Sequence, residues 1–157
     1  MRDSFSAYVE RAYNDPVMIN TILSMVDFEM WIYEVGLDPT QTLNFTTSQS
    51  VEAKNLALSY IALNGTSSPA DYKVYNDFYS NLKVIFHDTI QAAIGVNLNI
   101  PILQRIDNDL NCTADPDPEV KQRWYSTGLY MNYTNVTEPA HIWISSMGRN
   151  KYIMPIY

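Results

Sequence analysis

The chain has 157 residues, 46% of them hydrophobic and 17% charged, and a formal net charge of −7 at pH 7. That length is enough for one domain with a substantial core, and the composition is globular rather than disordered. An acidic chain without a basic stripe excludes binding to a phosphate backbone, and the apolar stretches are far too short to span a membrane.

The dominant period is helical. Ser4–Tyr13 opens on a serine able to cap a helix. Asn14-Asp15-Pro16 breaks it and starts the next segment, with Pro16 in the first turn. Asp27 is the predicted cap of a third helix and Gly36 its stop, followed by a loop over Leu37–Thr47. From Ser48 to about Leu63, Ala53, Leu56, Ala57, Tyr60 and Ile61 repeat at i, i+3, i+4, i+7 and i+8, one apolar stripe. Asn64-Gly65 ends that helix, and Ser68-Pro69 opens another, whose Phe78, Leu82, Ile85, Phe86 and Thr89 share a face. After a break at Gly95–Asn99, Pro101 begins a helix carrying Leu103, Ile106 and Leu110.

Asp117 as cap, Pro118 at the first position and Glu119 near the positive helix end mark the clearest start signal. Glu119 and Arg123 form a favourable i,i+4 pair there. The last helix is expected from Thr137, as cap, to Met147, with Ala140, Trp143, Ile144 and Met147 inward and Gly148 as a left-handed stop. The expected fold is therefore all-α, about seven helices of roughly ten to sixteen residues. Short connections make neighbouring helices antiparallel. Stacked pairs, as in an armadillo- or HEAT-like superhelix, suit the pattern better than a closed bundle, although no clean repeat is present.

Little of the chemistry is self-contained. Cys112 is the single cysteine, so no internal disulfide and no cysteine-based zinc site can form. A small buried apolar role is expected for it. His87 and His141 are the two histidines, and neither lies in H-E-x-x-H. Both are read as ordinary helix residues, His87 on the helix surface or partly packed. The acidic stretch DNDLNCTADPDPE lacks the glycine and terminal glutamate of a calcium loop and reads as turn and cap chemistry. Most of the aromatics lie on helical stripes and read as core. The stretch MRDSFSAYVE has no apolar leader segment, which points to the cytosol. Five N-x-[ST] sequons, at Asn44, Asn64, Asn111, Asn132 and Asn135, are read as chance in a chain rich in Asn, Ser and Thr. A secreted glycoprotein is the minor alternative.

The closing segment MGRNKYIMPIY stands out against the acidic background. Beyond Arg123 the chain holds one acid, Glu138, against two bases, Arg149 and Lys151. Basic residues just past a helix end complement its dipole. Alternatively, an extended backbone from Arg149 to Lys151 would point both side chains to one face, about 7 Å apart. There they could converge on a carboxylate, Arg as a planar fork and Lys as a point charge.

Three stretches, in order and at similar spacing, resemble the C-terminal helical domain of leukotriene A(4) hydrolase and related zinc aminopeptidases. They are VDFEMWIYEVGLDP (Val26–Pro39), EVKQRWYSTGL (Glu119–Leu129) and MGRNKYIMPIY (Met147–Tyr157). The resemblance covers nearly the whole chain and is weakest through Asn64–Asn99. It implies that residues 1–157 are an all-helical accessory domain that packs on a catalytic zinc domain of the same polypeptide. Arg149 and Lys151 match the family's Gly-Arg-x-Lys segment, which binds the carboxylate of a peptide or other small substrate. The family's zinc ligands, catalytic glutamate and proton-donating tyrosine have no counterpart here. The expectation is no metal, cofactor or catalytic residue in this chain, zinc in the complete enzyme, and no activity for the chain alone. The family's domain usually continues past the segment that ends here at Tyr157, so a fragment is expected. The competing reading is a free-standing helical interaction module without catalysis. An in-frame H-E-x-x-H upstream of Met1 would separate the two.

Overall fold

The computed structural model describes residues 2–33 and 46–157. The described residues contain nine α-helices, three 3-10 turns and no strand, which establishes the all-α class. The chain divides into two compact units, residues 1–45 and 46–157. Gly36, most of the predicted loop over Leu37–Thr47 and the Asn44 sequon lie outside the described residues.

In the first unit, α1 (Arg2–Ala12) begins ahead of Ser4, which is helical rather than a cap, while α2 (Pro16–Ser24) and α3 (Phe28–Tyr33) start where Pro16 and Asp27 predicted. The Asp15 carboxylate accepts from the backbone of Val17 (2.9 Å) and Met18, closing the start of α2, with Pro16 in the first turn. Asp27 accepts from Met30 N at 3.0 Å, as its reading as a cap required. The Phe5 and Phe28 rings pack at a tilt with centroids 5.7 Å apart, and Val9 is the buried side chain of α1.

The second unit holds an extensive core. Thr47 and Ser50 form a reciprocal capping box at the start of α4 (Ser48–Ala62). The predicted stripe of Ala53, Leu56, Ala57, Tyr60 and Ile61 is the buried face of α4. Asn64 and Gly65 leave the helix with φ of 52° and 76°. A Cβ at position 65 would lie 2.5 Å from the Pro101 backbone, so both the φ and the close approach require glycine there.

The single helix expected after Pro69 is in fact two elements. A 3-10 turn, Tyr72–Asp77, gives way at Phe78 and Tyr79 to extended backbone, and α5 runs Ser80–Gln91. The reason is Tyr75. Its buried ring packs edge-on to Phe86 at 5.1 Å and its hydroxyl meets His87. In a continuous helix, residues eleven apart are about 16 Å apart along the axis, so the chain must fold back.

Asn99 caps α6 (Ile100–Leu110) through Ile102 N at 3.0 Å, and Ile102, Leu103, Ile106 and Leu110 are buried. Asp117 caps α7 (Pro118–Tyr130) through Glu119 N at 2.8 Å, with Pro118 at its start. α8 (Thr137–Ser145) differs from expectation at both ends. Thr137 is helical rather than a cap, and no side chain caps the preceding Val136. A 3-10 turn, Thr134–Val136, leads in, and packing fixes it: Val136 is fully buried where a Cβ on Gly128 would come within 2.6 Å of its methyl. At the other end Gly148 is not left-handed; α8 closes through 3-10-type bonds from Ser146 N to Trp143 O (3.1 Å) and Met147 N to Ile144 O (3.1 Å). One more turn, α9 (Asn150–Ile153), follows. α4 packs on α5, α5 on α7, and α7 on both α8 and α9. Among the described residues no helix is long and apolar enough to cross a membrane.

Candidate functional site

The two predicted site residues both sit on the short closing turn, in a geometry that differs from the extended alternative. Arg149 alone is extended (φ −104°, ψ 114°), while Lys151 lies inside α9. Backbone bonds from Tyr152 N (2.9 Å) and Ile153 N (3.3 Å) to Arg149 O wind the turn. The Tyr152 side chain holds it down: the ring is buried, packs 5.7 Å from Trp143, and its hydroxyl donates to Glu119 Oε1 at 3.0 Å. A buried aromatic with a satisfied hydroxyl outweighs the reluctance of Ile153 and Pro155 to continue a helix.

Both cations lie against the Tyr152 ring. The Arg149 guanidinium lies 5.4 Å from its ring centroid and the Lys151 ammonium 5.5 Å, both within cation–π range. The two are otherwise unlike. Lys151 donates to Glu119 Oε1 as an ion pair. Arg149 is exposed and makes no ion pair with the described residues.

Behind them runs an alternating line of charge. Glu119 Oε2 accepts from Arg123 Nη1 at 3.1 Å, and Arg123 Nε donates to Asp88 Oδ1 at 2.6 Å. The hydrogen bond from Lys151 holds the Glu119 carboxyl below its ordinary pKa; partial burial opposes this, and Tyr152 and Arg123 add to it. The Glu119–Arg123 pair was legible as an i,i+4 contact. Its link to Lys151, 32 residues on, and the roles of Asp88 and Tyr152 had no local signal.

The other candidate residues are elsewhere. His87 is a correction: it is 2% exposed rather than on a helix surface, with Nε2 2.9 Å from the Tyr75 hydroxyl. Burial pushes its pKa down to about 3, so it is neutral. His141 is exposed on α8. Cys112 is fully buried, and burial raises its thiol pKa. The acidic stretch does turn chemistry as predicted: Asp107 accepts from Thr113 N (2.9 Å) and Thr113 Oγ1 (2.7 Å), and Asp115 pairs with Lys83 at 2.9 Å. No group of three or more His, Cys, Asp or Glu among the described residues could hold a metal, so these residues do not fit a resident zinc ion.

The described residues define an all-helical module whose last turn carries Arg149 and Lys151, with Lys151 paired to Glu119. Its family follows from comparison with known proteins. The family model "Leukotriene A4 hydrolase, C-terminal" matches residues 78–157, and the chain belongs to that family. Among curated proteins, it is similar to leucine aminopeptidase 2 of Neosartorya fischeri and of Aspergillus fumigatus. Each is 23% identical over 154 residues, covering 98% of this chain and 24% of the relative. Leucine aminopeptidase 2 of Ajellomyces capsulatus is 26% identical over 139 residues, covering 88% of this chain and 22% of the relative. The chain thus spans about a quarter of the length of the curated relatives it matches. No solved structure matches it.

Proposed function

We propose that this chain serves as the accessory helical domain of a cytoplasmic zinc aminopeptidase of the leukotriene A4 hydrolase type. On this reading residues 1–157 act as that domain, stacked as a superhelix against a catalytic zinc domain of the same polypeptide. The chain helps to wall the substrate cavity and binds the carboxylate of a peptide or other small acid. Arg149 holds that carboxylate and Lys151 assists. Zinc resides in the catalytic domain, and this chain's residues bind and orient.

The observation that carries the reading is the state of Arg149. It is an exposed guanidinium resting on a buried tyrosine ring, without a carboxylate partner among the described residues. Removing one charge-assisted contact costs ~1.5–3 kcal/mol. In the complete enzyme, Arg149→Ala therefore raises KM for a tripeptide with a free C-terminal carboxylate about tenfold or more. The corresponding peptide amide is much less affected. Equal losses on both substrates would remove Arg149 from carboxylate recognition.

A further inference from the structure

The carboxylate reading leaves open what holds Arg149 in place, and the residues beside it supply an answer. Glu119 stands where α7 and α9 meet. Its Oε1 accepts from both the Tyr152 hydroxyl (3.0 Å) and the Lys151 ammonium. Its Oε2 accepts from Arg123 (3.1 Å), which is itself held by the Glu119 carbonyl (3.1 Å) and by Asp88 on α5. The side chain is 25% exposed, and charge-assisted bonds engage both of its oxygens. Two acids (Asp88, Glu119) and two bases (Arg123, Lys151) cancel along this line, and Arg149 has no carboxylate partner among the described residues.

We infer that Glu119 is a positioning residue of the carboxylate site: it fixes the Tyr152 ring on which Arg149 rests and retains Lys151, leaving Arg149 as the cation that meets the ligand. This rests on the carboxylate reading given above. Lys151 contributes positive potential from its place on Glu119 and makes no contact of its own with the ligand. A cation on a fixed ring loses less side-chain freedom on binding than one on a mobile stem.

The test uses the 157-residue chain, 15N-labelled, and follows the Arg149 Nε–Hε resonance by NMR. Without ligand, the wild-type signal is expected to show a restrained heteronuclear NOE that falls to that of a free surface arginine in Glu119→Ala. Tyr152→Phe keeps the ring and removes its hydroxyl, and produces a similar fall that does not add to the first. Glu119→Gln retains an oxygen acceptor and restores the wild-type value. With tri-alanine as probe and tri-alanine amide as control, Glu119→Ala weakens carboxylate binding about tenfold and leaves the amide unchanged, whereas Glu119→Gln binds within about threefold of wild type. Tryptophan indole resonances report that each variant is folded. An Arg149 NOE unmoved by both Glu119→Ala and Tyr152→Phe overturns the positioning role, as does a Gln variant as loose as the Ala variant. Tri-alanine binding that survives Arg149→Ala, or leaves the Arg149 signal untouched in wild type, overturns the carboxylate reading instead.

Discussion

α7 takes part in two polar clusters, one anchored by the buried rings of Trp124, Tyr125 and Tyr133 and one made of charged side chains at the rim. In the core cluster the Trp124 indole donates to Thr113 Oγ1 (2.9 Å), Tyr125 donates to the Thr113 carbonyl (2.8 Å), and Thr113 and Tyr133 donate to Asp107. Trp124 also packs 5.9 Å from the neutral His87. Every polar atom named there has a partner inside the protein, as buried groups require. The rim cluster on the same helix, Glu119 and Arg123, reaches out to Lys151, and Arg149 lies exposed against the Tyr152 ring. Charge kept at a half-exposed edge can meet a ligand, while polar groups drawn inside serve to specify the fold.

That contrast can be broken or sharpened by experiment. The largest effect is expected in the core: Trp124→Ala removes a fully buried indole and leaves Thr113 without its donor. It should cost about 3–5 kcal/mol in urea unfolding. A loss below 1 kcal/mol would show that this cluster is not the structural one.

Next comes His87. Burial holds its folded pKa at about 3, with Arg123 and Lys83 adding to the depression and Asp115 and Asp117 opposing it. The unfolded state therefore binds a proton that the folded state does not. Stability is fully present above about pH 6.5 and falls as pH drops toward 3, by about 1.4 kcal/mol per unit at the steepest. Measured between pH 7 and 5, above the range where Glu119 titrates, the wild type should lose more stability than His87→Gln. Parallel slopes would mean that the imidazole already carries a proton in the fold.

The smallest effect is expected at the rim. Arg149→Ala should leave stability within about 0.5 kcal/mol of wild type by the same urea measurement, while changing carboxylate recognition. A large loss of stability would place Arg149 with the core cluster.

The sequence's legibility followed the range of the forces involved. The α4 stripe, the Asp27 and Asp117 caps and the Asn64-Gly65 stop are set by neighbours within a turn or two, and all appear as read, whereas the Asp15 and Asn99 caps fall at breaks that were read without a cap. The failures sit where tertiary packing overrode local signals. Tyr75 split a predicted helix to reach Phe86 and His87; Val136 against Gly128 replaced the Thr137 cap; Tyr152 on Glu119 holds a turn where the extended strip was one alternative. In the candidate site, Arg149 and Lys151 were identified from their type, their spacing and a family likeness. The asymmetry between them depends on Glu119, distant in sequence, and periodicity could not supply it.

Among the described residues, the non-glycine positions with left-handed backbone are Asn64, Asn111 and Asn132, and each opens an N-x-[ST] triplet. Asparagine tolerates that conformation where most side chains do not, so helix exits alone account for three of the five triplets. The usual Asn→Gln knockout control for attached sugars would strain the backbone at these sites and confuse lost folding with lost glycan. Thr134→Ala, at an exposed third position, tests the Asn132 triplet without touching a left-handed residue.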